Sequence, residues 1–180
     1  IDGGDRYQFA HLTLQEYFAA VALADKSQDL IQFFQQDPTT WREVVKLWCG
    51  IAGNSTALIM EVYRQDPILG FECLADAQEI DQQTAESIIE HCKGLLGTTG
   101  TQDDVTKAFG AVAASDRPRG QAIFQFLAAA LNQPAESHRF GAIAQALSFT
   151  NRPQAAKVLA TRYAEMGEIV RQPLVRMGDL

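Results

Sequence analysis

Runs of about 10 to 16 residues with apolar side chains at helical spacing follow one another through nearly the whole sequence, each closed by a proline, a glycine or a short polar turn. A chain punctuated this way has few options. The period is close to 3.6 rather than 2 and the connections are short, so consecutive helices must pack as antiparallel neighbours. The sequence therefore predicts an all-α fold. Hairpins of two helices recurring at about 35 residues per pair are the unit of an α-solenoid of stacked helix pairs. The repeats share little sequence with one another, so the array is expected to be irregular, and an irregular helical bundle is the other arrangement the pattern permits.

Individual signals set the expected boundaries. Asp25-Lys26-Ser27 breaks the first helix, and Ser27 is read as the cap of a second that runs through Leu30, Ile31, Phe33 and Phe34 to Gln36, where Asp37-Pro38 ends it. Thr40 and Glu43 have capping-box spacing and are expected to open a helix carrying Trp41, Val44, Val45, Trp48 and Ile51, stopped by Gly53-Asn54. The two tryptophans share a face and read as a packing seam between stacked helices. Ser55 is expected to cap the next helix, Pro67 to stand first in the one after, and Asp81 to cap a helix ending near Leu96. Gly97-Thr98-Thr99-Gly100-Thr101 is the candidate hinge, dividing a helical region over 25–96 from HEAT-like repeats over 102–180. Beyond it, Thr101 with Asp104 starts a helix, and Pro118, Pro134 and Pro153 introduce three more. A last short helix from Glu168 to Met177 is expected to be interrupted at Pro173.

The first residues read differently. Tyr7 and Phe9 alternate with Gln8 in a short extended run, and Thr13 with Glu16 has capping-box spacing, so a helix is expected from Leu14. Leu14, Tyr17, Phe18 and Val21 form its apolar stripe, with Ala19, Ala20 and Ala22 beside it to admit another element closely. Its first turn is accordingly expected to be buried. His11 falls at the strand-to-helix junction, where an imidazole is more often bonded to backbone or packed under the cap than used on a ligand.

This stretch resembles the pattern Phe-x-His-(Leu or Met)-(Thr or Ser)-(Phe or Leu)-Gln-Glu-(Tyr or Phe)-(Phe or Leu)-Ala-Ala. That pattern belongs to the winged-helix segment closing the NTPase module of NACHT proteins, STAND-type signalling ATPases that include NOD-like receptors and many bacterial relatives. Phe9, His11, Leu12, Thr13, Leu14, Gln15, Glu16, Tyr17, Phe18, Ala19 and Ala20 fall on it, and it covers about a tenth of the chain. Residues 41–45, Trp-Arg-Glu-Val-Val, resemble the segment that commonly follows the motif in bacterial members, and residues 139–147 with 154–159 resemble a HEAT-type helix pair. The resemblance implies that residues 1–24 are the C-terminal remnant of the winged-helix segment, and that ATP or ADP with Mg is handled by an upstream NTPase module of the parent. His11 is then the candidate cofactor contact, toward the β-phosphate of ADP in the intact parent only. The sequence has no initiator methionine, and is expected to be a C-terminal piece of such a protein.

Composition narrows the function classes. With 180 residues, 47% of them hydrophobic, the chain can bury a continuous core without staples. A net charge of −7 spread over many helices argues against direct contact with nucleic acid. Cys49, Cys73 and Cys92 are widely separated and have no histidine at metal-ligand spacing, so they read as reduced thiols rather than a metal site. No apolar run reaches the roughly 20 residues of a membrane span, and the cytoplasm is the expected compartment. Catalytic motifs are not found. Residues 50–56 superficially resemble a phosphate loop but lack its lysine and follow a helix. Asp103 and Asp104 sit where a helix N-terminus favours negative charge, and His91 and His138 are isolated. The expected function is a non-catalytic sensor or regulatory arm, making autoinhibitory contacts with the upstream module and binding other protomers or a protein ligand. The alternative is a HEAT-type interaction scaffold with no nucleotide link.

Overall fold

The computed structural model describes residues 12–98, 102–133 and 137–178. Among these residues the chain forms eleven helices and no β-strand, apart from one isolated parallel bridge between Asn54 and Glu79. In order they are α1 (Leu12–Ala22), α2 (Ser27–Gln36), α3 (Pro38–Ile51), α4 (Thr56–Gln65), α5 (Pro67–Asp76) and α6 (Gln82–Leu95). There follow α7 (Gln102–Ala113), α8 (Pro118–Leu131), α9 (Ser137–Phe149), α10 (Pro153–Met166) and α11 (Glu168–Met177). The odd-numbered helices stack in sequence, α1 on α3, α3 on α5, and so on to α11, while α2 packs on α3 and α4, α4 also on α5, and α6, α8 and α10 each on the odd-numbered helices to either side. This is an all-α, solenoid-like array of packed helix pairs.

Local chemistry explains most helix starts. Asp37, Asp66 and Asp81 each accept a hydrogen bond from the backbone amide three residues on, at 3.1 Å from Thr40, 2.9 Å from Leu69 and 2.8 Å from Thr84. Pro38, Pro67, Pro118 and Pro153 occupy first helical positions, where a missing N–H costs nothing. Several expected caps are displaced as a result. α3 opens on Asp37-Pro38 rather than on Thr40 and Glu43, because a carboxylate beside a preset proline captures the Thr40 amide first. Ser27 is the first residue of α2, preceded by Lys26 without a side-chain cap. The Ser55 hydroxyl faces inward and donates to the carbonyl of Cys49 at 3.4 Å, leaving the Asn54 side chain to accept from the Thr56 amide at 3.0 Å. α11 is not interrupted at Pro173, which is buried inside the helix. Thr13 lies within α1 and does not cap it.

The core runs the length of the stack. Phe71 of α5 and Phe109 of α7 have ring centroids 4.7 Å apart, and Phe126 of α8 lies 6.2 Å from Phe109. Close approach is set by a missing side chain. A Cβ on Gly110 of α7 would stand 2.9 Å from the carbonyl oxygen of Ala146 on α9, so glycine is what lets these two helices meet at this distance. In the connection after α6, Gly97 adopts φ +83° and passes so near α9 that a Cβ there would lie 2.7 Å from the Cα of Arg139. Thr99, Gly100 and Thr101 of the expected hinge lie outside the described residues, as do Pro134 and residues 1–11 with the expected extended run and His11.

Candidate functional site

α1 presents two different faces. Ala20 of α1 is fully buried, Ala19 packs on the core, and just past the helix the Leu23 carbonyl accepts a 2.7 Å hydrogen bond from the indole Nε1 of Trp48 on α3. Small residues thus bring α1 against α3. The large ones point the other way. Leu14, Tyr17, Phe18 and Val21 lie on one stripe, and Leu14 is 48%, Tyr17 45% and Val21 43% exposed. The expectation of a buried first turn is overturned: Leu12 is 68% exposed and Thr13 and Gln15 are also exposed. The physical reason is that a helix docked at the end of a stack can bury only one face, and the alanines allow the closer approach.

Half-exposed aromatic and branched side chains at helical spacing make a continuous apolar stripe on α1. The tyrosine and phenylalanine rings within it meet edge to face at 5.7 Å. α1 carries a single charged residue, Glu16. The opposite end of the stack is different. α11 exposes Glu168, Arg171, Gln172 and Arg176, with Arg171 and Glu168 paired at 3.0 Å. α11 also exposes Ile169 and Val175, so the two ends differ in charge and not in whether apolar side chains reach the surface.

A second feature runs along the free faces of α3, α5 and α7. Arg42 bridges Asp66 at 2.8 Å and Glu72 at 2.9 Å, and Lys46 approaches both Glu72 and Glu43 at 3.6 Å. Burial opposes the charge on Arg42, but Glu72 and Asp66 outweigh it and hold the guanidinium above its ordinary pKa. The network borders a cleft of about 450 Å³ lined also by Ile68, Asp104 and Lys107. Farther along, burial raises the Asp76 carboxyl, and the nearby charges of Lys46 and Arg117 work against that rise. Asp66, Glu72 and Glu43 each lie against Arg42 or Lys46, which suits a stitch between helices better than acid–base chemistry.

The remaining candidates resolve into structural roles. Cys49, Cys73 and Cys92 are all buried free thiols. A hydrogen bond with Cys49, and then burial, pushes Cys73 well above its usual value, and burial pushes Cys92 up to about 11, so neither supplies a thiolate near neutral pH. In residues 50–56 the Ser55 amide donates to the carbonyl of Glu79 at 2.9 Å, and the Glu79 amide returns a bond to Gly53 at 3.0 Å. The Ser55 amide is therefore engaged and not open to a phosphate. His91 is not isolated, since its Nδ1 is hydrogen-bonded with the hydroxyl of Tyr63 across α4 and α6. Burial holds that phenol above 10.0. Among the described residues no cluster of three or more acids, cysteines and histidines is placed to hold a metal, and no helix is long and apolar enough to cross a membrane.

The pairing of Arg117 and Arg119 with the end of α5, described below, is a feature that sequence reasoning missed. It carries no local signal, because the partners lie about forty residues away. No family model, curated protein or solved structure matches the chain.

Proposed function

We propose that this chain is the non-catalytic helical arm of a NACHT-type signalling ATPase, following its winged-helix segment and carrying autoinhibitory and protein–protein contacts. The observation that supports the reading is the outward apolar stripe of α1, because it belongs to the very helix that resembles the NACHT motif. Apolar surface of that kind is unfavourable in water by about 25 cal/mol per Å². A module packed against this end removes the penalty, and an upstream NTPase module of the same chain is the partner the motif implies. In the parent, ATP or ADP with Mg would be bound and hydrolysed upstream, in the cytoplasm, with His11 near the nucleotide phosphates. The arm itself would couple that module to a protein ligand or to neighbouring protomers.

The test uses the longest form of the parent protein. It is expected to retain ADP on purification, and His11→Ala is expected to accelerate release several-fold with helicity unchanged. Tyr17→Glu on the exposed stripe, which leaves the described core intact, should also speed release by loosening the docked module. A folded parent that binds no nucleotide would refute the reading. The cleft along α3, α5 and α7 would then favour the second one, a HEAT-type scaffold that engages another protein through its stacked odd-numbered helices.

A further inference from the structure

Arg117 and Arg119 stand on either side of Pro118 at the start of α8 and reach back to the end of α5. Arg117 Nη1 donates to the carbonyl of Asp76, and Arg119 Nη1 donates to the carbonyl of Ala77 at 2.8 Å. Neither guanidinium has a carboxylate of the described residues within ion-pair distance. The acids in the neighbourhood are committed elsewhere: Asp116 to Arg152 at 2.5 Å, and Glu72 to Arg42 and Lys46. Asp76 is close enough to feel the charge of Arg117 but does not reach it as a direct pair. Arg119 is half-buried, and burial and the adjacent charge of Arg117 both hold it below its ordinary pKa. Two like charges sit side by side, without a direct ion pair among the described residues, in a chain whose net charge is −7.

Capping the last carbonyls of α5 explains only part of this arrangement. A guanidinium offers five N–H donors in a planar fork, and the capping contacts take one from each. Both side chains line a cavity of about 390 Å³ together with Ala77, Gln78 and Pro118. That volume falls within the usual size of small-ligand sites, about 300–1,000 Å³. We propose that the cavity is a binding site for a phosphate-bearing ligand, held in the forks of Arg117 and Arg119. A phosphate monoester carries about −1.5 to −2 charges at neutral pH and three acceptor oxygens, so it satisfies two guanidinium groups at once, whereas a carboxylate brings a single charge. The protein's overall negative field repels anions, so selectivity comes from the local fork geometry and not from general attraction. Occupancy ties the end of α5 to the start of α8 and thereby stabilises the middle of the stack.

Inorganic phosphate is the first probe, titrated into the labelled full chain at constant ionic strength while the arginine Nε–Hε resonances are followed, with acetate as the control anion. The expected result is a saturable shift of the Arg117 and Arg119 signals with phosphate that acetate does not reproduce. Arg119→Gln is expected to weaken phosphate binding by about tenfold or more, and Arg64→Gln, on the exposed side of α4, to leave it unchanged. Arg119→Lys keeps the charge and the cap but loses the fork, so it should bind with intermediate affinity, and it serves if the glutamine variant fails to fold. O-phospho-L-serine and adenosine monophosphate then separate the sources. Tighter binding of the first identifies a phosphorylated side chain, tighter binding of the second a small molecule, and equal binding phosphate itself. Shifts with acetate equal to those with phosphate, or phosphate affinity unchanged in both variants at position 119, would show that the arginines only cap α5 and would overturn the proposal.

Discussion

Trp48 is the residue that fastens the candidate interface to the rest of the molecule, and replacing it by phenylalanine isolates that role. Its ring is 3% exposed and its Nε1 donates to the Leu23 carbonyl at 2.7 Å. That carbonyl also accepts from the Lys26 amide at 2.8 Å, so Trp48→Phe strands no buried acceptor. What disappears is one net hydrogen bond, about 1 kcal/mol, together with the space left by the smaller ring, about 1–2 kcal/mol more in a close-packed interior. A loss of about 2–3 kcal/mol follows, and for a chain of this size it should lower Tm by about 4–12 °C. Urea denaturation measures the total. Hydrogen exchange locates it, because in a stacked array each element depends mainly on its neighbours. Amides of α1 should open on the order of 30-fold more readily, and those of α9 should be less affected. A stability loss under about 0.5 kcal/mol with α1 protection unchanged would refute the reasoning and mean that α1 is held by its alanine face alone.

Other expectations follow from the close contacts and the carboxylates. Gly110→Ala should cost about 1–3 kcal/mol because its Cβ would press on the Ala146 carbonyl, whereas Gly94→Ala, in α6 with nothing within 4 Å, should gain about 0.5–1 kcal/mol; thermal melts of the two moving in the same direction would contradict the packing account. The Thr84 amide, and then its hydroxyl, hold Asp81 below 3.8, so its capping contribution is fully present above that value and is lost as pH falls through the lower folded-state pKa. The deficit of Asp81→Ala at neutral pH should therefore shrink in acid. Asp76 has the opposite sign: burial raises its folded-state pKa, so the penalty is present above that pKa and vanishes below 3.8. Asp76→Asn should be more stable than the parent chain at neutral pH and lose that advantage on acidification, as urea unfolding across the pH range would show.

Helix identity was legible in the residues because its determinants act within a turn. Pro67 stands first in α5 and Asp81 caps α6 as read, α2 ends at Gln36, and α8 and α10 begin on the prolines expected of them. The seam of Trp41 and Trp48 also forms, with Trp41 stacked on Phe33 at 4.7 Å and Trp48 in the core. Where two local signals competed, periodicity did not rank them. Asp37 with Pro38 displaced the Thr40 and Glu43 box, and the Ser55 hydroxyl left its cap for the Cys49 carbonyl once α3 and α4 had folded together.

The sequence by itself determined that this chain is a succession of short amphipathic helices, since spacing, prolines and capping carboxylates are local forces. Only the tertiary structure decided which face of each helix meets a neighbour. On α1 the alanine face won over the larger apolar stripe, because small side chains let two backbones approach and a terminal helix has one neighbour to satisfy. It likewise decided that Arg117 and Arg119 would meet the carbonyls of Asp76 and Ala77. Such contacts depend on how distant turns of the chain are stacked, and no spacing within one helix encodes them.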